Sequence, residues 1–254
     1  MVRFPIARGF SRGSVLSSSG LLAGRLLLWL LLLAAPLALV ACAAQPPAAA
    51  GGCETATTPC LSGEALVAME TSRGSVQIRV DGASAPLTGG NFVDLVRRGA
   101  YNNTVFHRVV REPVPFVVQG GDPQSADAKV PPSQYGTGSF IDPANGEARL
   151  IPLELRLRSE KQPRYGEPIT SPLKSRDLAL THERGAVAMA RSGDPNSASA
   201  QFYVALQALP ELDGRYAVFG RVTKGMEVFD RIQQGDRLIK ATLLEGGTLV
   251  KGKP

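Results

Sequence analysis

From Glu64 onward the chain alternates short apolar runs with turn-forming residues, the pattern of many short strands. Ala65–Thr71 and Ser75–Val80 are two such runs around Ser72-Arg73-Gly74, a hairpin signal. Thr88–Gly99 is the first helix candidate, because Phe92, Leu95 and Val96 fall at i, i+3 and i+4 and Gly99 can end it. Gly89 and Gly90 weaken its first turn. Asn102-Asn103-Thr104 matches a glycosylation sequon and is read as a turn. In Phe106–Asp122, FHRVVREPVPFVVQGGD, two apolar runs flank a linker that Pro113 and Pro115 restrict, so paired strands are expected. Strand alternation puts Phe106, Arg108 and Val110 on one face and His107 and Val109 on the other. Gln119 follows Phe116 by three positions, so only a bend or a strand end can bring those two together.

After Asp122 comes a long Pro/Gly/Ser-rich excursion, in which Leu150–Leu157 has strand character and Arg164–Ser175 reads as loop. The default reading is an inserted surface loop; a partner-binding element is the sharper alternative. Gly185–Arg191 and Gln201–Leu206 are strand-like, with the small-residue loop SGDPNSASA between them, and Ala217–Val222 is a further strand. Lys224–Gln234 is the second helix candidate, with Val228, Phe229 and Ile232 on one side. Lys240–Val250 supplies one or two strands. Many short strands, two helices and Gly-rich turns make the fold class mainly β, a closed antiparallel barrel. The chain is 44% hydrophobic, enough for a sizeable core.

The first residues do not belong to that core. Residues 1–41 hold four arginines (Arg3, Arg8, Arg12, Arg25) and no acid, and Leu26–Ala41 is an apolar run broken only by Pro36. This is a basic segment followed by a hydrophobic one, the pattern of a secretory signal. Its 16 residues fall short of the ~20 that a membrane span needs. Leu39-Val40-Ala41-Cys42 resembles a bacterial lipobox, which would make Cys42 the acylated mature N-terminus. An ordinary signal peptide with Cys42 incidental, and a transit peptide, stand as alternatives. Without the four leader arginines, 24 basic residues face 22 acidic ones, a net of +2. The basicity is therefore largely a targeting feature, and nucleic acid is not an expected partner. Residues 42–63, rich in Ala, Pro, Gly and Thr, read as a flexible tether. With Cys42 lipidated, Cys53 and Cys60 remain as a pair that either closes a disulfide loop in an oxidising compartment or stays as free thiols. No His or further Cys stands near to make a zinc site, and Asp122–Asp127 lacks the spaced ligands of a calcium loop.

On composition alone, Arg108 is an arginine on a barrel rim and Gln119 a glutamine capping a strand. Three motifs in order point further: FHRVV followed by FVVQGGD, then MARSGDPNSASAQFYV, then LDGRYAVFGRV. Together they resemble the cyclophilin family of peptidyl-prolyl isomerases, from about Glu64 to about Leu249 and loosely between Pro123 and Arg184. The resemblance implies an eight-stranded antiparallel barrel with a helix over each open end. It places the domain at 64–250, with an insertion within about 123–184 relative to compact members.

It also implies an activity, the cis–trans isomerisation of Xaa-Pro bonds. That reaction makes and cuts no bond, so it needs no nucleophile, metal or cofactor. It needs a surface that prefers the twisted amide over either planar form. By motif position, Arg108 contacts the twisting amide, Phe116 is the floor of the proline pocket, and Gln119 orients Arg108 and the substrate backbone. Val117 stands where the family often has Met. Ala190 and Arg191 lie at the substrate-strand edge, where the usual pair is Ala-Asn. Gln201 is the motif glutamine, Tyr203 replaces a pocket Phe, Leu212 lines the pocket, and Tyr216 sits where eukaryotic members have His.

Departures qualify this reading. Glu211 occupies the position of a Trp that contacts cyclosporin in many members, which implies weak cyclosporin binding. REPVP adds three residues between Arg108 and Phe116, enough to displace the pocket floor. His107 and His182 lack a GxSxG or HExxH partner motif, and His107 is read as structural, on the face opposite Arg108. Three functions compete: a lipid-anchored isomerase for exported proteins, a module that holds Pro-containing peptides without turnover, and a purely structural envelope protein. Nothing demands a partner chain, so a monomer is expected.

Overall fold

A computed structural model describes residues 52–251. The leader 1–41, Cys42 and the first part of the expected tether lie outside the described residues. In chain order the elements are β1 (Cys60–Thr71), β2 (Gly74–Asp81), α1 (Pro86–Arg97), β3 (Thr104–Val105), β4 (Arg108–Val110) and β5 (Val117–Gly120). They continue with β6 (Glu154–Leu155), β7 (Arg164–Tyr165), α2 (Pro172–Ser175), β8 (Ala186–Met189), β9 (Phe202–Ala205), β10 (Val218–Lys224), α3 (Met226–Arg231) and β11 (Arg237–Val250).

The strands form a nine-stranded sheet in the order β3-β11-β1-β2-β10-β8-β9-β5-β4, and β6 pairs with β7 apart from it. Laid flat at ~4.8 Å per strand, its edges would stand about 38 Å apart. Yet the two edge strands are consecutive in the chain, with only Phe106 and His107 between them. At 3.8 Å per Cα step, Val105 and Arg108 lie within about 11 Å of each other, so the sheet must curl back on itself. The expected strand starting at Phe106 is thus split. Phe106 leaves the ladder to donate to the Asp236 carbonyl, while β3 pairs with β11 and β4 with β5. That break corrects the eight-stranded expectation: the hydrogen-bonded order has nine strands and, among the described residues, no ladder joins β3 to β4.

The break also overturns the predicted face pairing. Phe106 is fully buried, packs edge-on against Phe229 at 6.2 Å, and shares the interior with Val109. Arg108 points the other way.

The interior is aromatic. Phe92 of α1 meets Phe219 at 4.9 Å and stands edge-on to Phe202 at 5.7 Å. From α3, Val228 and Phe229 enter the same cluster. Gly89 and Gly90, expected to weaken α1, are required by its packing, since a Cβ on Gly90 would collide with the Pro59 carbonyl oxygen. The helix begins at Pro86, two residues earlier than expected, and its first-turn amides have an unusual partner. Glu154 is buried, and its two carboxylate oxygens accept from Leu87 N at 3.0 Å and Thr88 N at 2.7 Å.

Glu154 belongs to the segment expected to be a surface loop, and that expectation is corrected. Leu153, Leu155, Leu157, Ile169, Leu178 and Ala217 form a core of their own. Arg164–Ser175, read as loop, contains β7 and the short α2. Arg149 ties the segment to α1 by an ion pair of 2.6 Å to Asp94 and braces the segment itself by one of 2.7 Å to Asp142. The excursion is held because alternate leucines and one arginine bury against the sheet. At the other end, β1 begins at Cys60, before the expected Glu64, and a disulfide joins Cys60 to Cys53 with Cα atoms 5.9 Å apart.

Candidate active site

Four strands position the site. β4, β5, β9 and β8 pair antiparallel with Arg108 opposite Gln119, Gln119 opposite Tyr203, and Tyr203 opposite Ala188. Directly opposed residues share a face, so this row lies on one side of the sheet. Val118, Val204 and Val187 alternate onto the other side and join the interior. The outer face carries a second apolar cluster of Val117, Ala186, Ala188, Tyr203 and Ala205, with Phe116, Leu212 and Tyr216 packed on it. Period-two alternation therefore makes one face of the curled sheet core and the other a site.

On that outer face is a cleft of about 250 Å³, lined by Arg108, Phe116, Val117, Gln119, Ala190, Arg191, Tyr203, Leu212 and Tyr216. Of the residues singled out from the sequence as site candidates, only Gln201 is missing from this lining, and it lines the adjoining cleft. Phe116 lies just before β5, the strand end needed to bring it beside Gln119, where its amide donates to the Val110 carbonyl. The REPVP insertion has not displaced it: the Arg108 guanidinium carbon stands 5.8 Å from its ring centroid.

An amide relay runs behind Arg108. A guanidinium only donates, so the long 3.5 Å contact from Arg108 Nη1 presents Gln119 with its oxygen forward. Gln119 Nε2 then donates to Gln201 Oε1 at 3.2 Å, and Gln201 Nε2 donates to the Gly138 carbonyl at 2.9 Å. The loop carrying Gly138 is pinned in turn by buried Asp122, whose Oδ2 accepts from Gly136 N at 2.6 Å. His107, beside Gly136, is half-buried; burial pushes its imidazole below the ordinary value, opposed by the charge of Asp122.

The opposite wall has a support that the sequence reading missed. His182 is buried, its Nδ1 lies 2.7 Å from Asp213 Oδ1, and its Nε2 lies 2.9 Å from Tyr203 Oη. A carboxylate can only accept, so Nδ1 carries a proton, and Nε2 shares a hydrogen bond with the tyrosine hydroxyl. Burial holds the Tyr203 hydroxyl well above its ordinary pKa of 10, so it stays a donor. Tyr203 stands edge-on to Tyr216 at 5.8 Å, and Arg191 covers the Tyr216 ring at 4.7 Å. His182 and Asp213 are 31 positions apart, and no spacing rule links them.

The adjoining cleft, about 350 Å³, shares Gln119, Ala190 and Arg191 with the first and adds Gly138, Ser192, Ser197 and Ser199. Part of its wall is the inserted segment, where no sequence motif marked a site. Glu211 is exposed and lines neither cleft. Among the described residues, no group of three or more His, Cys, Asp or Glu side chains is placed to hold a metal ion, and no helix is long and apolar enough to cross a membrane.

A curled antiparallel sheet with an outward apolar cleft, edged by an arginine and an amide relay, defines a cyclophilin-like protein. The fold is similar to that of a Cryptosporidium parvum cyclophilin-type peptidyl-prolyl cis-trans isomerase, with a TM-score of 0.52 at 21% identity over 72% of this chain and 99% of that one. Residues 66–246 match the family described as "Cyclophilin type peptidyl-prolyl cis-trans isomerase/CLD", and the chain belongs to it. Peptidyl-prolyl cis-trans isomerase CYP18-2 of Arabidopsis thaliana is 33% identical over 65% of this chain and 79% of its own length. A putative thylakoid lumen peptidyl-prolyl cis-trans isomerase of Synechocystis sp. is 38% identical over 78% of this chain. The chain spans about half of that relative, 52%.

Proposed function

We propose that the protein is a peptidyl-prolyl cis-trans isomerase acting on Xaa-Pro bonds of exported polypeptides. The observation that carries this reading is the convergence of Arg108, Phe116 and Gln119 on one cleft. Rotation about the prolyl bond faces a barrier of ~18–20 kcal/mol because amide resonance must be broken. Twisting localises the nitrogen lone pair, so a donor fixed beside the ring stabilises only the transition state. Arg108 is that donor, permanently charged and free of any ion pair in the described structure. Phe116, Val117, Leu212, Tyr203 and Tyr216 receive the proline ring. Gln119, backed by Gln201, sets the angle of the guanidinium, and the edge at Ala190 and Arg191 holds the substrate backbone. No cofactor takes part.

In the same reading the curled sheet is the eight-stranded barrel of the family, with β3 and β4 as one interrupted strand. A similar protein of Cryptosporidium parvum was crystallised in the presence of the dipeptide Ala-Pro, which suits a proline-binding cleft. The Synechocystis relative named for the thylakoid lumen supports export. The leader, Cys42 as a lipid anchor and the residues between it and the Cys53–Cys60 loop as a tether complete a monomer held at a membrane surface, with Pro-containing polypeptides as partners and no nucleic acid. Glu211 makes cyclosporin a weak inhibitor.

The test is cis-to-trans relaxation of a short Xaa-Pro peptide, with Arg108→Ala as control. A rate that scales with protein and falls about a hundredfold in the variant supports the isomerase, the loss expected for one transition-state donor. Peptide binding without acceleration would make the protein a holding module instead.

A further inference from the structure

Arg191 stands on the ridge between the two clefts and lines both. Its guanidinium is fixed but not neutralised. Nε and Nη2 donate to the Arg215 carbonyl at 3.1 and 2.6 Å, and Nη1 donates to the carbonyls of Ser192 at 2.7 Å and Gly193 at 3.3 Å. The Tyr216 ring face lies beneath it at 4.7 Å. Every acceptor is a neutral oxygen, and no carboxylate of the described residues pairs with it. Arg149, with two carboxylates, and Arg73, with Asp236, are neutralised, whereas Arg111 and Arg158 are held by carbonyls as Arg191 is but line neither cleft.

The acids closest in sequence to this wall do not change the balance. Asp194 lines neither cleft and accepts from Asn196 N at 2.8 Å, Asp213 is engaged by His182, and Glu211 is exposed outside both linings. Arg108, also without an ion pair, lines the first cleft with Arg191, so two unneutralised guanidiniums bracket the proline site. Holding a long cation in one orientation by carbonyls removes the rotamer entropy that weakens most surface ion pairs. One Nη2 hydrogen of Arg191 remains after these contacts.

We propose that Arg191 makes this groove selective for acidic substrates: polypeptides with an Asp or Glu within two residues of the proline. The proposal rests on the isomerase reading. With the ring in the first cleft, an extended chain advances ~3.3 Å per residue, so a residue one or two positions away lies roughly 3–7 Å along the groove. Arg191 borders the groove over that interval, and in the second cleft Ser199, whose hydroxyl accepts from Phe140 N, keeps its own hydrogen to donate to the same carboxylate, while the hydroxyls of Ser192 and Ser197 are spent within their loop. The selection is electrostatic and weakens as salt rises.

The experiment compares Xaa-Pro peptides identical but for Glu, Gln or Lys placed one or two positions either side of proline. It uses the purified protein and reads both kcat/KM and affinity by fluorescence anisotropy. We expect the Glu peptide to be favoured over the Lys peptide by roughly fivefold or more at low salt, the range of a charge pair at a partly exposed site. In Arg191→Gln the Glu/Lys ratio should fall to about one, and in Arg191→Glu it should invert. Arg79→Gln, which removes a charge that lines neither cleft, should keep the wild-type ratio. Equal rates and affinities for the three peptides would overturn the proposal, as would a preference that survives Arg191→Gln. Loss of acceleration for every peptide, with the Glu preference kept in affinity, would sink the isomerase reading while supporting the selectivity.

Discussion

Replacing Gln201 by leucine tests whether the relay behind Arg108 acts as a unit. Gln201 lies outside the lining of the proline cleft, yet it joins Gln119 at 3.2 Å to the Gly138 carbonyl at 2.9 Å. Leucine removes both neutral hydrogen bonds from a half-buried site where water can replace part of them, at about 0.5–1.5 kcal/mol each. The fold should survive, with Tm lower by roughly 2–12 °C for a domain of this size. Activity should fall further, because the freed Gln119 amide no longer fixes the guanidinium angle. A loss of about tenfold in kcat, or ~1.4 kcal/mol, is expected, with KM little changed. Gln119→Leu should lose at least as much, and the double variant no more than the worse single one. Peptide relaxation on the four proteins, with thermal unfolding in parallel, gives the cycle. Losses that multiply to roughly a hundredfold would show two independent residues and refute the relay.

Three further outcomes follow from the same contacts. Arg149→Met leaves Asp94 and Asp142 without their shared, largely buried cation, and urea unfolding should show a loss of about 2–4 kcal/mol; a loss under ~0.5 would mean the inserted segment is not anchored through it. Reducing Cys53–Cys60, a bridge of sequence separation 7, should lower stability by about 2.5 kcal/mol, and unfolding with and without dithiothreitol measures it. His107 has a folded pKa below the ordinary imidazole value of 6.5 because burial penalises its charged form. The folded state then binds fewer protons than the unfolded one, so this contribution to stability is present above pH 6.5 and is lost as pH falls from there through the folded value. Unfolding free energies from pH 8 to 5 should show that slope in the wild type and less of it in His107→Gln.

How much of this was legible in the sequence depends on the range of each signal. The hairpin at Ser72-Arg73-Gly74 and the stripe of Phe92, Leu95 and Val96 are local, and both appear where the pattern put them. The cleft was legible through motifs: its nine lining residues all follow from the motif positions. Errors came where tertiary contact decides. Alternation failed at Phe106 because the chain leaves one ladder and joins another there, and period two holds only while a residue stays paired. Gly89 and Gly90 looked like a weak helix start because the approach of Pro59 is invisible in the sequence.

The inserted segment is the plainest case of a long-range contact hidden in an irregular sequence. Its Pro, Gly and Ser content argues for loop, and most of its backbone is indeed irregular. What orders it is a handful of buried groups: Leu153, Leu155 and Leu157 on one side and Arg149 against α1. Once held, it does two things a loose loop would not. Glu154 accepts the first-turn amides of α1, whose own N-cap residue Ala85 offers no side-chain acceptor, and Gly138 receives the last hydrogen bond of the relay that begins at Arg108. Two stretches of the one excursion, 136–138 and 149–157, thus connect a helix of the core and the arginine at the cleft. Loosening the excursion should therefore reach the cleft through Gly138, and should reach the aromatic core of Phe92, Phe202 and Phe219 only where Ile151, Phe140 and Leu180 join or pack against it.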